Sequence, residues 1–524
     1  VRKTVPISES TGQRRLSIVR LFVAIVATAA IVTGVGYGYQ LWLSNSAAAS
    51  PQNGWFAGYV DVTATPNFAF ESPSANSGKN VVLSFIVSNP NDACAPSWGG
   101  AYSMDQASAS LDLDRRVARL EQLGGDVAVS FGGQRNDELA KDCTSVTQLE
   151  AAYTSVIDRY NLTTIDLDLE GSSLSDTAAA NRRGTAIAEV QKAQRSAGKS
   201  LAVWLTLPVS PSGLGVDGQN AVRTALGHGV DLAGVNAMTM DYGSSRASGQ
   251  SMLDAATSAL TETQRQLGVL YRQAGTTLSD ATLWSKIGVT PMIGQNDTSG
   301  EVFSLDEAKG LSAFVAEHKI GRASMWSLNR DRTCGSNYVD VKVVSDSCSG
   351  VVQGKIRFAD LLSTNLKGRL AASAASVTTT EPVHAKALKD DPATSPYQIW
   401  SQHASYLQGT KVVWHHNVYV AKWWTSGDLP DNPVLNSWQT PWTLVGPVLP
   451  GETPIPVPTL PAGTYPNWSG TSTYQKGDRV LLNGAPFQAK WWNQQDSPDA
   501  ASSNPDGSPW VPLTQEQMQQ VAGK

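Results

Sequence analysis

Between Thr164 and Gly171 the chain reads TIDLDLEG, with Asp166, Asp168 and Glu170 alternating with Ile165, Leu167 and Leu169. On a β-strand successive side chains point to opposite faces, so the three acids line one side and the three apolar residues the other. Carboxyl groups packed within a few ångströms do not all ionise easily. One proton is retained and one pKa rises. A carboxylic acid still protonated near neutral pH is the group needed to protonate a leaving glycosidic oxygen. Glu170, nearest the C-terminal end of the run, is the expected general acid. On the wet face of an antiparallel sheet the same pattern would be an ordinary solvated edge. The element that carries the acids therefore decides what they do.

Eight short runs rich in Val, Ile and aromatic residues begin at Trp55, Val81, Val127, Thr164, Leu201, Leu232, Lys286 and Gly321. Between them lie segments of helical periodicity, among them those from Ser145, Asn181, Leu253 and Leu305. Eight strand–helix units in series predict a (β/α)8 TIM barrel over residues 54–350, an α/β fold of the usual length of roughly 250 residues. An open doubly wound sheet is the alternative. In a parallel barrel both strand faces are covered, so the apolar side of TIDLDLEG packs on helices and the acids point inward, where burying charge is expensive. Barrel enzymes place their chemistry at the C-terminal ends of strands, where Glu170 falls.

Together these residues resemble the D-x-x-D-x-D-x-E signature of family-18 glycoside hydrolases, the chitinases. Ser130-Phe131-Gly132-Gly133 on the third strand is similar to that family's S-x-G-G motif. Met238-Thr239-Met240-Asp241-Tyr242-Gly243 resembles the sixth-strand motif of a bacterial branch, and Trp326 sits where the family keeps a tryptophan at the end of strand eight. Thr163 replaces the motif's first Asp. The resemblance implies a retaining mechanism in which the substrate's own N-acetyl oxygen attacks the anomeric carbon. Glu170 would protonate the glycosidic oxygen, Asp168 would hold the acetamido group, and Asp166 would share a proton with Asp168. Asp241 and Tyr242 would position the acetamido group, over a floor made by Trp326. Ser130, Gly132, Gly133 and Met240 are the remaining candidates for substrate contact, although two glycines beside a serine also suit a tight packing corner and Met240 also suits a core. Regular alternation opposes Asp241 and Tyr242 both pointing inward.

The rest of the 524 residues is organised around this unit. Forty basic against forty-five acidic residues give a net charge of −5, and no basic surface for nucleic acid is implied. Residues 1–20 carry five basic side chains against Glu9, and 21–43 run without a charge, long enough to span a bilayer. We expect a transmembrane signal anchor with a cytoplasmic basic segment and, beyond a short linker at 44–53, an extracytoplasmic remainder. A signal peptide cleaved near Ala49 is the alternative. The even set of four cysteines fits disulfides there, Cys334 with Cys348 and Cys94 with Cys143. No metal-ligand spacing and only six His speak against a zinc site, and neither metal nor cofactor is expected.

Ten of the sixteen Trp lie after residue 395. Residues 371–395, rich in Ala, Ser, Thr and Pro, read as a linker, and 447–463, with six prolines, as a stiff spacer. The flanking segments, 396–446 and 464–514, repeat each other at a constant offset. Trp400 recurs as Trp468, Tyr406 as Tyr474, Tyr419 as Phe487, Trp423-Trp424 as Trp491-Trp492 and Trp442 as Trp510. In each consecutive Trp pair, strand alternation predicts one ring inside and one exposed. The repeated pattern resembles chitin-binding type-3 modules, small all-β units with aromatic faces suited to sugar rings. The resemblance as a whole implies a monomeric chitinase acting on an extracellular N-acetylglucosamine polymer, targeted by tandem modules. A non-catalytic lectin or adhesin, or an endo-β-N-acetylglucosaminidase on glycans or wall polymers, are the alternatives.

Overall fold

The computed structural model describes residues 54–336, 338, 343–377, 389–453, 458–498 and 507–522. At its centre is a closed ring of eight parallel strands. They are β1 (Trp55–Phe56, continued by Gly58–Asp61), β2 (Asn80–Asn89), β3 (Asp126–Gly132), β4 (Thr164–Asp168), β5 (Ala202–Ser210), β6 (Leu232–Met238), β7 (Ile287–Thr290) and β8 (Arg322–Ala323). Each pairs with the next, and β1 closes the ring by pairing with both β8 and β2. All eight predicted runs are barrel strands. The segment expected to anchor the chain, 21–43, lies outside the described residues, among which no helix is long and apolar enough to cross a membrane.

Helices α1 (Leu113–Gln122), α2 (Val146–Arg159), α3 (Thr177–Ser196), α4 (Val216–Gly227), α5 (Met252–Gln273) and α6 (Leu305–His318) surround the ring. Their starts follow from local chemistry. Ser145, Asp176, Ser251 and Ser304 each accept a backbone N–H of the first turn, and Ser304 forms a reciprocal box with Glu307. The outward strand residues, such as Val60, Leu83, Val129, Ile165, Leu167 and Val289, join the helices in the main core. The inward ones, Trp55, Ala57, Tyr59, Val82, Ala128, Ala202, Trp204 and Ala233, form a second cluster inside the barrel.

That inner cluster needs a lid at its N-terminal end, and the chain supplies one from the segment read as a linker. Residues Leu370–Val377 form α7, whose Leu370 and Ala374 are buried against the inner cluster, while Trp55 Nε1 donates to Ser373 Oγ at 3.1 Å. The Ala- and Ser-rich composition disguised it, because the small side chains that fit a narrow opening carry little hydrophobic signal. The two expected disulfides are present, Cys94–Cys143 and Cys334–Cys348.

Each C-terminal copy is a three-stranded antiparallel sheet with a second, two-stranded pairing. The first uses Lys411–Trp414, Asn417–Ala421 and Trp442–Pro447, and the second Arg479–Leu482, Ala485–Ala489 and Trp510–Pro512. Even their internal bonds repeat. Ser401 and Ser469 amides donate to the Tyr406 and Tyr474 hydroxyls, both at 2.7 Å, and Trp442 and Trp510 indoles donate to the Asp428 and Asp496 carbonyls.

The spacer expected at 447–463 joins units that touch. The Ser405 amide donates to the Gln495 carbonyl at 2.7 Å, Ser405 Oγ donates to Asp496 at 2.8 Å, and Trp468 packs against the cores of both copies. Leu460 is buried with Leu481 and Leu513 of the second copy, so the proline-rich chain is partly fastened to that copy's surface. The first copy in turn meets the barrel. Arg265 on α5 donates to the Val434 and Leu435 carbonyls at 2.7 and 2.5 Å, Gln219 on α4 donates to Asn436 at 3.1 Å, and Leu435 packs against the main core.

Candidate active site

The barrel interior is layered. Apolar Trp55 and Trp204 fill the N-terminal end; the inward positions then turn polar at Asp166, Tyr59, Thr206, Asn236, Thr290 and Arg322, all buried. Register fixes this layer, because Asp166 pairs with Ser130 on β3 and Trp204 on β5, and Asp168 pairs with Gly132 and Thr206. Asp166 accepts from Ser130 Oγ at 2.7 Å and the Tyr59 hydroxyl at 2.8 Å on one oxygen. Its other oxygen accepts from Thr206 Oγ1 at 2.6 Å and Arg322 Nη1 at 2.5 Å. These four donors occupy both oxygens of Asp166, and Asp166 acts on the neighbouring Asp168 by charge repulsion.

Above this layer a cleft of about 420 Å³ opens at the C-terminal ends of the strands. Asp168, Glu170, Met240, Asp241 and Trp326 line it, together with Tyr59, Phe85 and Asp297. Asp168 is buried and its Oδ1 has no hydrogen-bond partner. Burial first, then repulsion from Glu170 and Asp166, pushes its carboxyl well above the usual carboxylate range, against a smaller opposing pull from Arg322. Glu170 follows the end of β4 and immediately precedes the short helix Gly171–Ser175, with its side chain making no capping bond to that helix. Burial, with repulsion from Asp241 and Asp297, pushes its carboxyl up to about 7. A group with that affinity holds a proton at neutral pH and can give it up, which is what general acid catalysis requires.

Several expected contacts fall elsewhere. Ser130 is fully buried and bonds Asp166 without lining the cleft. Gly132 and Gly133 also sit behind it. A Cβ on Gly132, at φ 105°, would meet the Asp168 carbonyl at 2.0 Å, and one on Gly133 would meet the Phe85 ring at 2.9 Å. They let β3 approach β4 and let Phe85 lie across the opening, where it stacks on Trp326 at 5.5 Å and 20°. Asp241 and Tyr242 part company. Asp241 has a left-handed φ of 50°, lines the cleft, and accepts from the Thr298 amide at 2.7 Å. Tyr242 turns into the main core, its hydroxyl without a partner. The left-handed turn breaks the alternation, and Glu301 holds it by accepting the Tyr242 and Gly243 amides, both at 2.9 Å.

Sequence reasoning missed Tyr59, Phe85, Arg322 and a buried brace beside the cleft. Glu138 accepts from Arg183 Nε at 3.0 Å, from the Ala140 amide at 3.0 Å and from the Tyr153 hydroxyl. It pins the chain two residues beyond Gln134, Arg135 and Asn136, which line the cleft. Among the described residues no cluster of three or more His, Cys, Asp or Glu could hold a metal ion.

In the C-terminal copies, Tyr419, Trp442, Phe487 and Trp510 are core residues. The consecutive tryptophans depart from expectation, since Trp423 and Trp424 are 45% and 55% exposed and Trp491 and Trp492 are 45% and 56% exposed. These residues follow the strand ends at Ala421 and Ala489, on a bend where alternation no longer applies. Lys422 and Lys490 lie over the first ring of each pair, at 4.9 and 4.5 Å from its centre.

Comparison with known proteins bears on this geometry. The chain superposes on the crystal structure of the catalytic domain of a hyperthermophilic chitinase from Pyrococcus furiosus with a TM-score of 0.50 and 27% identity, covering 63% of this chain and 96% of that one. The barrel is thus similar to a chitinase catalytic domain in both fold and sequence. It is also 37% identical over 300 residues to a probable bifunctional chitinase/lysozyme of Escherichia coli strain K12, and 36% identical over 294 residues to endochitinase 11 of Metarhizium anisopliae. These matches take in 55% and 54% of this chain, which spans only 32% and 54% of those relatives' own length. Residues 467–511 match carbohydrate-binding module family 5/12, so the second copy accompanies the chitinase-like barrel as a module of that kind.

Proposed function

We propose that the chain is a chitinase that hydrolyses β-1,4-linked N-acetylglucosamine polymer outside the cytoplasm, with Glu170 as the general acid. The observation that carries this is the half-buried Glu170 carboxyl at the mouth of the barrel, poised at about 7 beside the unpartnered oxygen of Asp168. In the mechanism the carboxylic acid of Glu170 protonates the glycosidic oxygen as the bond to the anomeric carbon breaks. The substrate's acetamido oxygen supplies the attacking electron pair, so no protein nucleophile is needed. The free oxygen of Asp168 accepts the acetamido N–H and stabilises the positive charge that develops there. Trp326 and Phe85 give an apolar face for the pyranose. Water, activated by the Glu170 carboxylate, completes hydrolysis and returns the proton.

The first copy shares the fold, the internal bonds and the exposed Trp pair of the second, and we assign both to chitin binding. Two such faces on one chain convert weak contacts into avidity on a polymer. The two disulfides favour an oxidising compartment, as the extracytoplasmic reading requires.

The test is Glu170→Gln, assayed on a soluble N-acetylglucosamine oligomer and on solid chitin. Turnover should fall by roughly 10²–10⁴-fold on both, the usual contribution of a general acid, while the protein still sediments with chitin. Turnover equal to the parent's would remove Glu170 from the mechanism, and no turnover in the parent would favour a lectin. In the parent, activity should decline as pH rises through about 7, where Glu170 loses its proton. Deleting residues 389–524 should reduce activity on solid chitin much more than on the soluble oligomer.

A further inference from the structure

Arg322 is a fully buried cation in the middle of the barrel, and the mechanism above does not use it. Its guanidinium donates to Asp166 Oδ1 at 2.5 Å, to the Tyr59 hydroxyl at 3.0 Å and to Ser324 Oγ at 2.9 Å. It is boxed by the rings of Trp55, Tyr59 and Trp204, at 5.2, 5.7 and 5.5 Å from their centres. A carboxylate has about four acceptor positions, and Asp166 fills four of them, from Ser130, Tyr59, Thr206 and Arg322. No position remains for a proton of its own. We propose that Arg322 is a positioning residue that fixes Asp166 as a permanent anion and so confines the exchangeable proton of the cleft to Asp168 and Glu170.

The reasoning is electrostatic. A carboxylate at this depth without a partner would take up a proton, because the neutral form is cheaper to bury. With the guanidinium attached, the pair is neutral as a whole and the layer presents one fixed negative end toward Asp168. The charged and titratable groups facing Arg322 are Asp166 and Tyr59, with Asp168 also in electrostatic reach. Those facing Glu170 are Asp241 and Asp297, with Asp168 coupled through their mutual repulsion. Arg322 therefore acts on the reaction through Asp166 and Asp168, without touching substrate.

This inference rests on the chitinase reading for its consequence but not for its test. Thermal unfolding of the full chain is followed from pH 5 to 9 for the parent, Arg322→Lys, Arg322→Met and the double variant Asp166→Asn/Arg322→Met. In Arg322→Met the folded state must bind a proton at Asp166 that the unfolded chain releases. Its unfolding constant, relative to the parent's, should therefore rise about tenfold per pH unit, the slope of one extra proton bound in the native state. Arg322→Lys keeps the charge and should follow the parent. The double variant has neither charge and should lose the extra slope, and it should fold at pH 8 even if Arg322→Met does not. An Arg322→Met slope equal to the parent's, or a double variant as impaired as the single one, would overturn the proposal.

The pH profile of kcat/KM on the soluble oligomer gives the second arm. It should be displaced in Arg322→Met and unchanged in Arg322→Lys, whereas a merely structural role would lower activity without moving the limbs. If the parent cleaves nothing, the function assigned to the cleft fails while the thermal arm still decides on Arg322. If the parent is active but the thermal slopes coincide, the role of Arg322 fails and the function stands.

Discussion

The barrel and the C-terminal copies use aromatic and charged side chains in opposite ways. Inside the barrel Trp55 and Trp204 are hidden, and charge is sunk among them, with Asp166 and Arg322 fully buried and Asp168 nearly so. In the copies, charge stays at the surface and the rings of Trp423, Trp424, Trp491 and Trp492 are about half exposed. A reaction centre needs carboxyls whose proton affinity water would erase, so it must bury them. A surface that grips a polymer needs apolar faces available before the ligand arrives, so it must leave them out. Each region accepts a different penalty.

The contrast can be broken at its strongest points first. Arg183→Met would leave Glu138 charged and buried without its partner, and should lower the stability of the barrel by about 3–5 kcal/mol, read by denaturant unfolding. A much smaller loss would mean that this brace is not a committed ion pair. In the second copy, Trp510→Ala removes a fully buried ring and should cost about 3–5 kcal/mol. Replacing Trp491 and Trp492 by Ala should scarcely change stability, within roughly 0.5 kcal/mol as is usual at the surface, yet weaken adsorption to chitin by at least about tenfold. If the exposed pair proved as important to folding as Trp510, the division between core and gripping face would fall.

A subtler comparison concerns Glu170→Gln as a stability variant. Glu170 has its affinity raised from 4.5 to about 7 in the fold, so the native state binds the proton more tightly than the unfolded chain. That stabilising preference is complete below about 4.5 and lost as pH rises through about 7. The variant should thus melt above the parent at pH 8 and with it at pH 4, a loss of catalysis accompanied by a gain in stability. A difference that did not depend on pH would contradict the buried placement of that carboxyl. The smallest effect belongs to the exposed pair Lys192–Glu189 on α3, where Lys192→Ala should leave the denaturant midpoint of unfolding essentially where it is in the parent, because water and salt screen the pair.

Much of this was legible in the sequence, and the exceptions have identifiable causes. The strands announced themselves through runs of Val and Ile, the acids through strict alternation, and the copies through an offset that never slipped. Alternation also held the signal for Arg322, which shares a strand face with Ser324 and Trp326, but a single basic residue in a short run carries little weight without knowledge of its partner. Phe85 was hidden because the register of β2 shifts between Leu83 and Ile86. Tyr242 and the Trp pairs were misplaced for a related reason, since a left-handed residue and a bend each end the two-residue period on which the expectation relied. Contact between the copies was not legible at all, because it depends on Ser405, Gln495 and Asp496, polar residues of no distinctive pattern.

The seal formed by α7 sets where the enzyme-like unit truly stops. A recombinant fragment trimmed at residue 369 would leave the indoles of Trp55 and Trp204 facing solvent through the base of the ring, and would be expected to aggregate. One extended through Val377 keeps that base shut, so the eight residues between these two endpoints separate a fragment worth expressing from one that is not.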